Sequence, residues 1–345
     1  MNIAILTINN PSLESAKKLL PILKNHKCTI FNKIQNGDGF IKYDKIDDIL
    51  ADAWREFDAI VFIMATGAVV RKIAPYLKDK ATDPAILIMT LDLKRVIPLV
   101  SGHLGGANEL SNEITASIDE CINFVTTASD QIKVLAFDMF AKKMNYSISN
   151  LKSLAQISNR IINNQIVQVV SYPSVIKDIK KFEGYKEGSL RFFTPNNLDE
   201  IDNKIPTVYI IPMKLSNNCL QIHPNSITLG LGMNRGTSST EIKSAVKRFC
   251  FEHGLSLDNI TALASFEAKA DEIGLLEFSK EVGIELKFFN ADEINALEQE
   301  FSLSQATKFF NIKGVAEPAS LLASKNKTLF LNKRVYGGVT VAASF

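Results

Sequence analysis

The chain has few of the residues that would tie it to a metal, a membrane or a nucleic acid. Four of its 345 residues are cysteine and four are histidine. Cys28, Cys121, Cys219 and Cys250 stand far apart, with no C-x-x-C pair and no zinc-type Cys/His spacing. That excludes a disulfide framework and a metal held by protein ligands. The four are read as reduced, mostly buried thiols of a cytoplasmic protein. No apolar run reaches the roughly 20 residues needed to cross a bilayer. The opening Met1-Asn2-Ile3-Ala4-Ile5-Leu6-Thr7-Ile8 lacks a basic n-region and a cleavage site, so it reads as a first strand. A net charge of +2 is too small to support broad nucleic-acid binding. Glycine is scarce in the middle: only Gly184 and Gly188, of 17, fall between Ser129 and Pro224.

What is present is a full complement of core residues. Hydrophobic residues make up 46% and charged residues 22%, which fits a folded chain of two or three domains. Over the first ~125 residues strand and helix signals alternate, which argues for a parallel α/β layer. Asp58 to Met64 and Ala85 to Met89 read as continuous apolar runs, as strands covered on both faces would be. The region from 131 to 225 reads as a smaller mixed α/β module of short strands, among them a run blunted by Pro206 and Pro212. A third unit starts at 226. There Ser238 and Glu241 form a capping box, Asn290 and Glu293 cap a helix running to Leu297, and Gly337-Gly338 separates two late strands. The fold class is therefore α/β. N-terminal (1–130) and C-terminal (226–345) units have mainly parallel sheets and are joined by the middle region (131–225).

Four constellations carry chemistry. Ser101-Gly102-His103-Leu104-Gly105-Gly106-Ala107-Asn108 places an imidazole among three glycines before a helical pattern. Glycines allow close backbone approach, and a helix opening there offers unpaired N–H groups to an anion. Thr126-Thr127-Ala128-Ser129-Asp130 ends a later strand with hydroxyls and a carboxylate, but no G-x-S-x-G elbow supports a serine triad. Gly67 to Pro75 follows a buried strand and carries Arg71 and Lys72, cations suited to carboxylates; a solvated first helical turn explains them equally well. The loop Lys78 to Pro84 adds Lys80 and Asp83, which ordinary surface exposure would also explain. In the last unit, Glu267-Ala268-Lys269-Ala270-Asp271-Glu272 sets four ionisable groups after a strand, and Glu317 follows Gly314-Val315-Ala316. The helix dipole alone would account for Asp271 and Glu272, though not for Lys269. Gly230-Leu231-Gly232 to Gly236 imitates a dinucleotide fingerprint. Its third glycine is displaced by one place and no acid closes the next strand, so nucleotide binding is not expected.

Taken in order, these segments resemble the CbiG family, the cobalt-precorrin-5A hydrolases of anaerobic cobalamin biosynthesis. The resemblance runs through Gly67 to Pro75, Lys80 to Pro84, Ser101 to Asn108 and Thr126 to Asp130. It resumes at Gly230 to Gly232, Arg235-Gly236, Lys269 to Glu272, Gly274-Leu275 and Gly314 to Glu317. Met233 and Asn234 stand where the family often has a cysteine and a basic residue. Ser129 replaces a threonine, and Asn9-Asn10-Pro11 replaces a glycine-containing turn. The resemblance implies opening of a δ-lactone on a cobalt-bearing macrocycle, with the two-carbon unit at C20 lost as acetaldehyde to give cobalt-precorrin-5B. It implies no cofactor of the protein's own, since cobalt arrives with the substrate. Its partners would be that small molecule and the neighbouring corrinoid-pathway methyltransferases. The last unit is also similar to a module that stands alone in the aerobic pathway.

On that implied chemistry, His103 would activate water, oriented by Asp130, and the amides near Gly105 and Gly106 would stabilise the oxyanion. Arg71, Lys80, Arg235 and Lys269 would hold peripheral carboxylates. Gly67, Asp83, Ser101, Asn108, Thr126, Thr127, Glu272 and Glu317 would complete the binding surface. The competing class is a tetrapyrrole carrier that grips carboxylates without reaction.

Overall fold

The apolar runs become the centre of a seven-stranded sheet. In a computed structural model describing residues 1–80, 82–127, 132–301 and 310–345, its strands are β1 (Asn2–Thr7), β2 (Lys27–Asn32), β3 (Phe40–Lys42), β4 (Ala59–Ile63), β5 (Ala85–Met89), β6 (Arg95–Val100) and β7 (Ile122–Asn123). They lie in the order β3-β2-β1-β4-β5-β6-β7. Every residue of β4 and β5 is buried, because helices cover both faces. Ile3, Ile5, Val61 and Leu87 pack with Leu13 of α1 (Asn10–Leu19) and with Leu110 and Ile114 of α4 (Ala107–Ala116). On the other face, Leu6, Phe62 and Ile88 meet Leu50 of α2 (Ile46–Glu56) and Val69 of α3 (Thr66–Ile73).

Two strands, β6 and β7, run against the rest of that sheet. β1 to β5 pair in parallel, but β6 is antiparallel to β5, with Val96 opposite Met89 and Val100 opposite Ile86. β7 is parallel to β6. The chain leaving β6 therefore emerges beside the start of β5, on the edge away from the ends of β1 and β4. The sequence reading contained no strand at Arg95–Val100. Pro98 lies inside it, and its residues are mostly half-buried, so it lacks the apolar signature of its neighbours.

The chain divides into two compact units, Met1–Lys133 and Val134–Phe345. The second unit holds two sheets. One orders β8 (Tyr146–Ser149), β9 (Val167–Ser171), β10 (Leu190–Phe193), β11 (Thr207–Ile210) and β12 (Leu220–Pro224) as β10-β9-β11-β12-β8, all parallel except β8. It packs against α5 (Phe137–Met144), α6 (Lys152–Ile162) and α7 (Pro173–Lys181). This core also takes the ring of Phe345, 1% exposed, with its centroid 5.4 Å from that of Tyr172 and 5.7 Å from that of Phe330.

The other sheet orders β13 (Ile227–Met233), β14 (Ile260–Phe266), β15 (Glu285–Phe289), β16 (Leu329–Tyr336) and β17 (Val339–Ser344) as β15-β14-β13-β17-β16. The first three are parallel, and β16 and β17 form an antiparallel hairpin turned by Gly337-Gly338. Its helices are α8 (Ser239–Glu252), α9 (Ile273–Val282), α10 (Ala291–Asn295) and α11 (Ala316–Ala323). Both capping boxes are present, at Ser238/Glu241 and Asn290/Glu293, although α10 stops at Asn295 rather than reaching Leu297. The architecture is thus α/β throughout, with mainly parallel sheets at both ends of the chain. The thiols differ from expectation: only Cys250 is buried, and Cys28, Cys121 and Cys219 are half-buried.

Candidate functional site

The glycine-rich segment between β6 and α4 folds as a tight, largely self-satisfied loop. Ser101 enters it at φ +56°, and Gly106 caps α4 at φ +89°, a conformation that suits glycine. The amides of Gly106, Ala107 and Asn108 donate to the carbonyls of His103 (3.1 Å), Ser101 (3.1 Å) and Gly102 (3.0 Å). Gly106 was expected as an oxyanion donor, but its N–H is turned inward to His103. The Gly105 amide has no partner among the described residues. A Cβ on Gly105 would lie 2.4 Å from Ser101 Cβ and 3.4 Å from the Asp83 carbonyl oxygen, so any side chain there requires the loop to shift. Ser101 Oγ is buried and has no hydrogen-bond partner among the described residues.

The loop gathers several of the expected residues. Asn108, 8% exposed, donates from Nδ2 to Thr127 Oγ1 at 3.3 Å, and its side chain fills the space a Cβ on Gly102 would need. Asp83 is buried and accepts the Lys78 amide at 2.9 Å, which fixes the loop entering β5. His103 is half-buried, while Thr126 and Lys80 are exposed. Asp130, expected to orient His103, lies outside the described residues.

Gly67 and Arg71 do not join this group. They follow β4, at the opposite end of the strands, separated from the glycine loop by roughly the 17 Å length of a five-residue strand. Arg71 folds back to donate from Nη1 to the Gly67 carbonyl at 2.8 Å. Near them, where β1, β4 and β5 end, a solvent-open cavity of about 610 Å³ is lined by Ile8, Met64, Thr66, Leu91, Arg95 and Ile97, among others. Sequence reasoning singled out neither Arg95 nor the turn Thr90 to Asp92 beside it. The one hint was Leu91, an apolar residue in a turn at a strand's C-terminal end.

In the second unit, the parallel strands β13 and β14 bring Arg235 and the segment from Lys269 to Glu272 together at their C-terminal ends. Glu272 is 4% exposed. It accepts the Gly236 amide at 3.0 Å and the Lys269 ammonium at 3.2 Å, with Arg235 Nε 3.4 Å away. Burial pushes the Glu272 carboxyl up, but the Gly236 amide, Lys269 and Arg235 together outweigh it and hold it below its ordinary range. Arg235 also binds Asp271 at 2.6 Å and the Ala268 carbonyl at 3.0 Å. Two of the four cations expected to grip substrate carboxylates, Arg235 and Lys269, are thus engaged by the protein's own acids. Glu317 is separate: buried on α11, it accepts the amide of Lys333 at 3.0 Å, where β16 bulges. Gly230 and Gly232 lie within β13, Gly230 paired with both β14 and β17 and Gly232 with β17, and not in a phosphate loop. A Cβ on Gly230 would come 1.7 Å from the Ala316 carbonyl oxygen, so this glycine admits α11.

Residues 48–130 match the family described as Cobalamin synthesis G N-terminal, and residues 227–344 match Cobalamin synthesis G C-terminus. The chain belongs to the CbiG family. A Priestia megaterium protein named cobalt-precorrin-5A hydrolase is 29% identical over 99% of this chain and 94% of its own length. A Salmonella typhimurium protein of the same name is 26% identical, over 95% of this chain and 93% of its own. The solved structure of CobE, a protein from the cobalamin biosynthetic pathway, is 27% identical over 34% of this chain and 87% of its own, with a TM-score of 0.32. Among the described residues no helix is long and apolar enough to cross a membrane.

Proposed function

We propose that this chain is a cobalt-precorrin-5A hydrolase. It opens the δ-lactone of cobalt-precorrin-5A, releases the C20 two-carbon unit as acetaldehyde and yields cobalt-precorrin-5B. The observation that carries the reading is the pairing of both CbiG family matches in one chain with relatives of that name along nearly its whole length. Cobalt belongs to the substrate, and no cofactor of the protein's own is invoked. The reaction is assigned to the cytoplasm, with neighbouring corrinoid-pathway methyltransferases as partners.

The glycine loop supplies a reasonable set of groups for ester hydrolysis. His103 takes the proton of the attacking water, an imidazole being suited to that work near neutral pH. The Gly105 amide meets the oxygen on which charge develops. Thr127 and Asn108 hold that part of the loop in place. The test is incubation of the purified protein with cobalt-precorrin-5A, assaying ring-opened product and aldehyde together. Stoichiometric acetaldehyde is the expected result. A protein that binds the macrocycle and releases none is a carrier, and the hydrolase reading then falls.

A further inference from the structure

The cavity at the C-terminal ends of β1, β4 and β5 is not used by the loop chemistry above. We infer that it is a second small-molecule site, separate from the His103 loop, which takes one edge of a carboxylate-bearing tetrapyrrole. The ligand class rests on the proposed hydrolase function; the existence of the site rests on the cavity.

Three observations lead there. The first is position. From β1 the sheet continues to β2 on one side and to β4 on the other, so the cavity occupies the point where strand order reverses. Open α/β sheets bind ligands in the crevice beyond the strand ends at that point. The second is size and lining. About 610 Å³ falls within the range of small-molecule pockets. Ile8 and Leu91 stand on its wall 42% and 51% exposed, an arrangement unfavourable in water and suited to the apolar edge of a macrocycle. The third is charge. Among the described residues, the Arg95 guanidinium makes one ion-pair contact, a long one of 3.3 Å from Nη1 to Asp92 Oδ2. Asp92 is meanwhile held by the Thr90 hydroxyl and the Lys94 amide of its own turn. The remaining Arg95 donors are left for a planar, two-oxygen acceptor such as a peripheral carboxylate. Thr66 opens α3 on the same wall, and no side chain caps that helix.

The test is a fluorescence titration with uroporphyrin, a tetrapyrrole carrying peripheral carboxylates, on the full-length protein. Arg95→Ala and Leu91→Asp are compared with His103→Ala at the other edge. Both cavity side chains are at least half exposed, so both variants should fold, which circular dichroism checks. Affinity should fall about tenfold or more in each cavity variant and stay unchanged in His103→Ala. Unchanged affinity in the cavity variants, or no saturable binding by the wild type, overturns the proposal.

Turnover of cobalt-precorrin-5A by Arg95→Ala then identifies the natural occupant. A raised KM with kcat kept means that the reacting substrate itself occupies the cavity, which overturns a second site separate from the His103 loop. Unaltered kinetics with loss of product inhibition means the product does. If the wild type releases no acetaldehyde while porphyrin binding still depends on Arg95, the site stands and the hydrolase reading fails.

Discussion

Replacing Glu272 with alanine removes the carboxylate around which the charged cluster of the third sheet is arranged. Three partners lose their acceptor: the Gly236 amide at 3.0 Å, Lys269 Nζ at 3.2 Å and Arg235 Nε at 3.4 Å. They do not count equally. The Arg235 side chain is 61% exposed and keeps Asp271, so its loss costs little. Lys269 is 16% exposed and Glu272 5%, a half-buried cation on a buried acid. Removing one member of a fully buried pair costs about 3–5 kcal/mol, because a charge is left without compensation. Lys269 retains some access to water, and the orphaned amide adds about 1 kcal/mol. The expected loss is therefore about 3 kcal/mol in the unfolding transition of the second unit, read by urea denaturation followed by circular dichroism. Removing both members in Glu272→Leu with Lys269→Met should recover most of it. The acid limb supplies an independent check. The folded-state pKa of Glu272 lies below its ordinary value, so the stabilisation is complete above about pH 5 and lost as pH falls through the folded value. Wild type and variant should converge there. A loss under about 1 kcal/mol, or strict additivity in the double variant, would refute the pairing as the source of stability.

Other consequences are open to direct measurement. His103→Ala should lower turnover about 100-fold or more with macrocycle binding retained, and near-normal turnover would remove His103 from the mechanism. Gly105→Ala forces a methyl group to within 2.4 Å of Ser101 Cβ, so it should cost about 1–3 kcal/mol in thermal unfolding and lower turnover with it. An unchanged melting curve would show that the loop yields freely. His223 is 1% exposed; burial pushes its imidazole pKa down, while Nδ1 meets the Ile211 carbonyl at 3.0 Å. The folded state thus keeps it neutral, and stability should fall as pH drops below about 6.5, where the unfolded chain binds a proton. His223→Leu should flatten that slope in urea midpoints taken between about pH 7.5 and 5.5, and an identical slope would show that another group titrates.

The central strands were readable because burial on both faces leaves no polar residue in Ala59–Ile63 or Ala85–Met89. The Ser238 and Asn290 caps were readable because capping is local chemistry. The direction of β6 was not, since antiparallel and parallel pairing differ in distant partners and not in the residues Arg95 to Val100 themselves. That one direction decides which end of the strands the His103 loop occupies, so the first-unit residues collected into one binding surface from sequence stand at two opposite ends of the sheet. Lys269 and Glu272, three residues apart, had the spacing of an ion pair, but only tertiary packing against Gly236 buries it. Arg95 carried no signal, because a cation beside a turn is ordinary until a cavity opens next to it.

The ring of Phe345 fills a gap between Tyr172 and Phe330 in the core of the second sheet, far along the chain from the strands it completes. During translation, residues 134–225 leave the ribosome without that plug and must wait for the third sheet to deliver it. A fragment cut at residue 225 would lack that ring and carry an open apolar hole in its core.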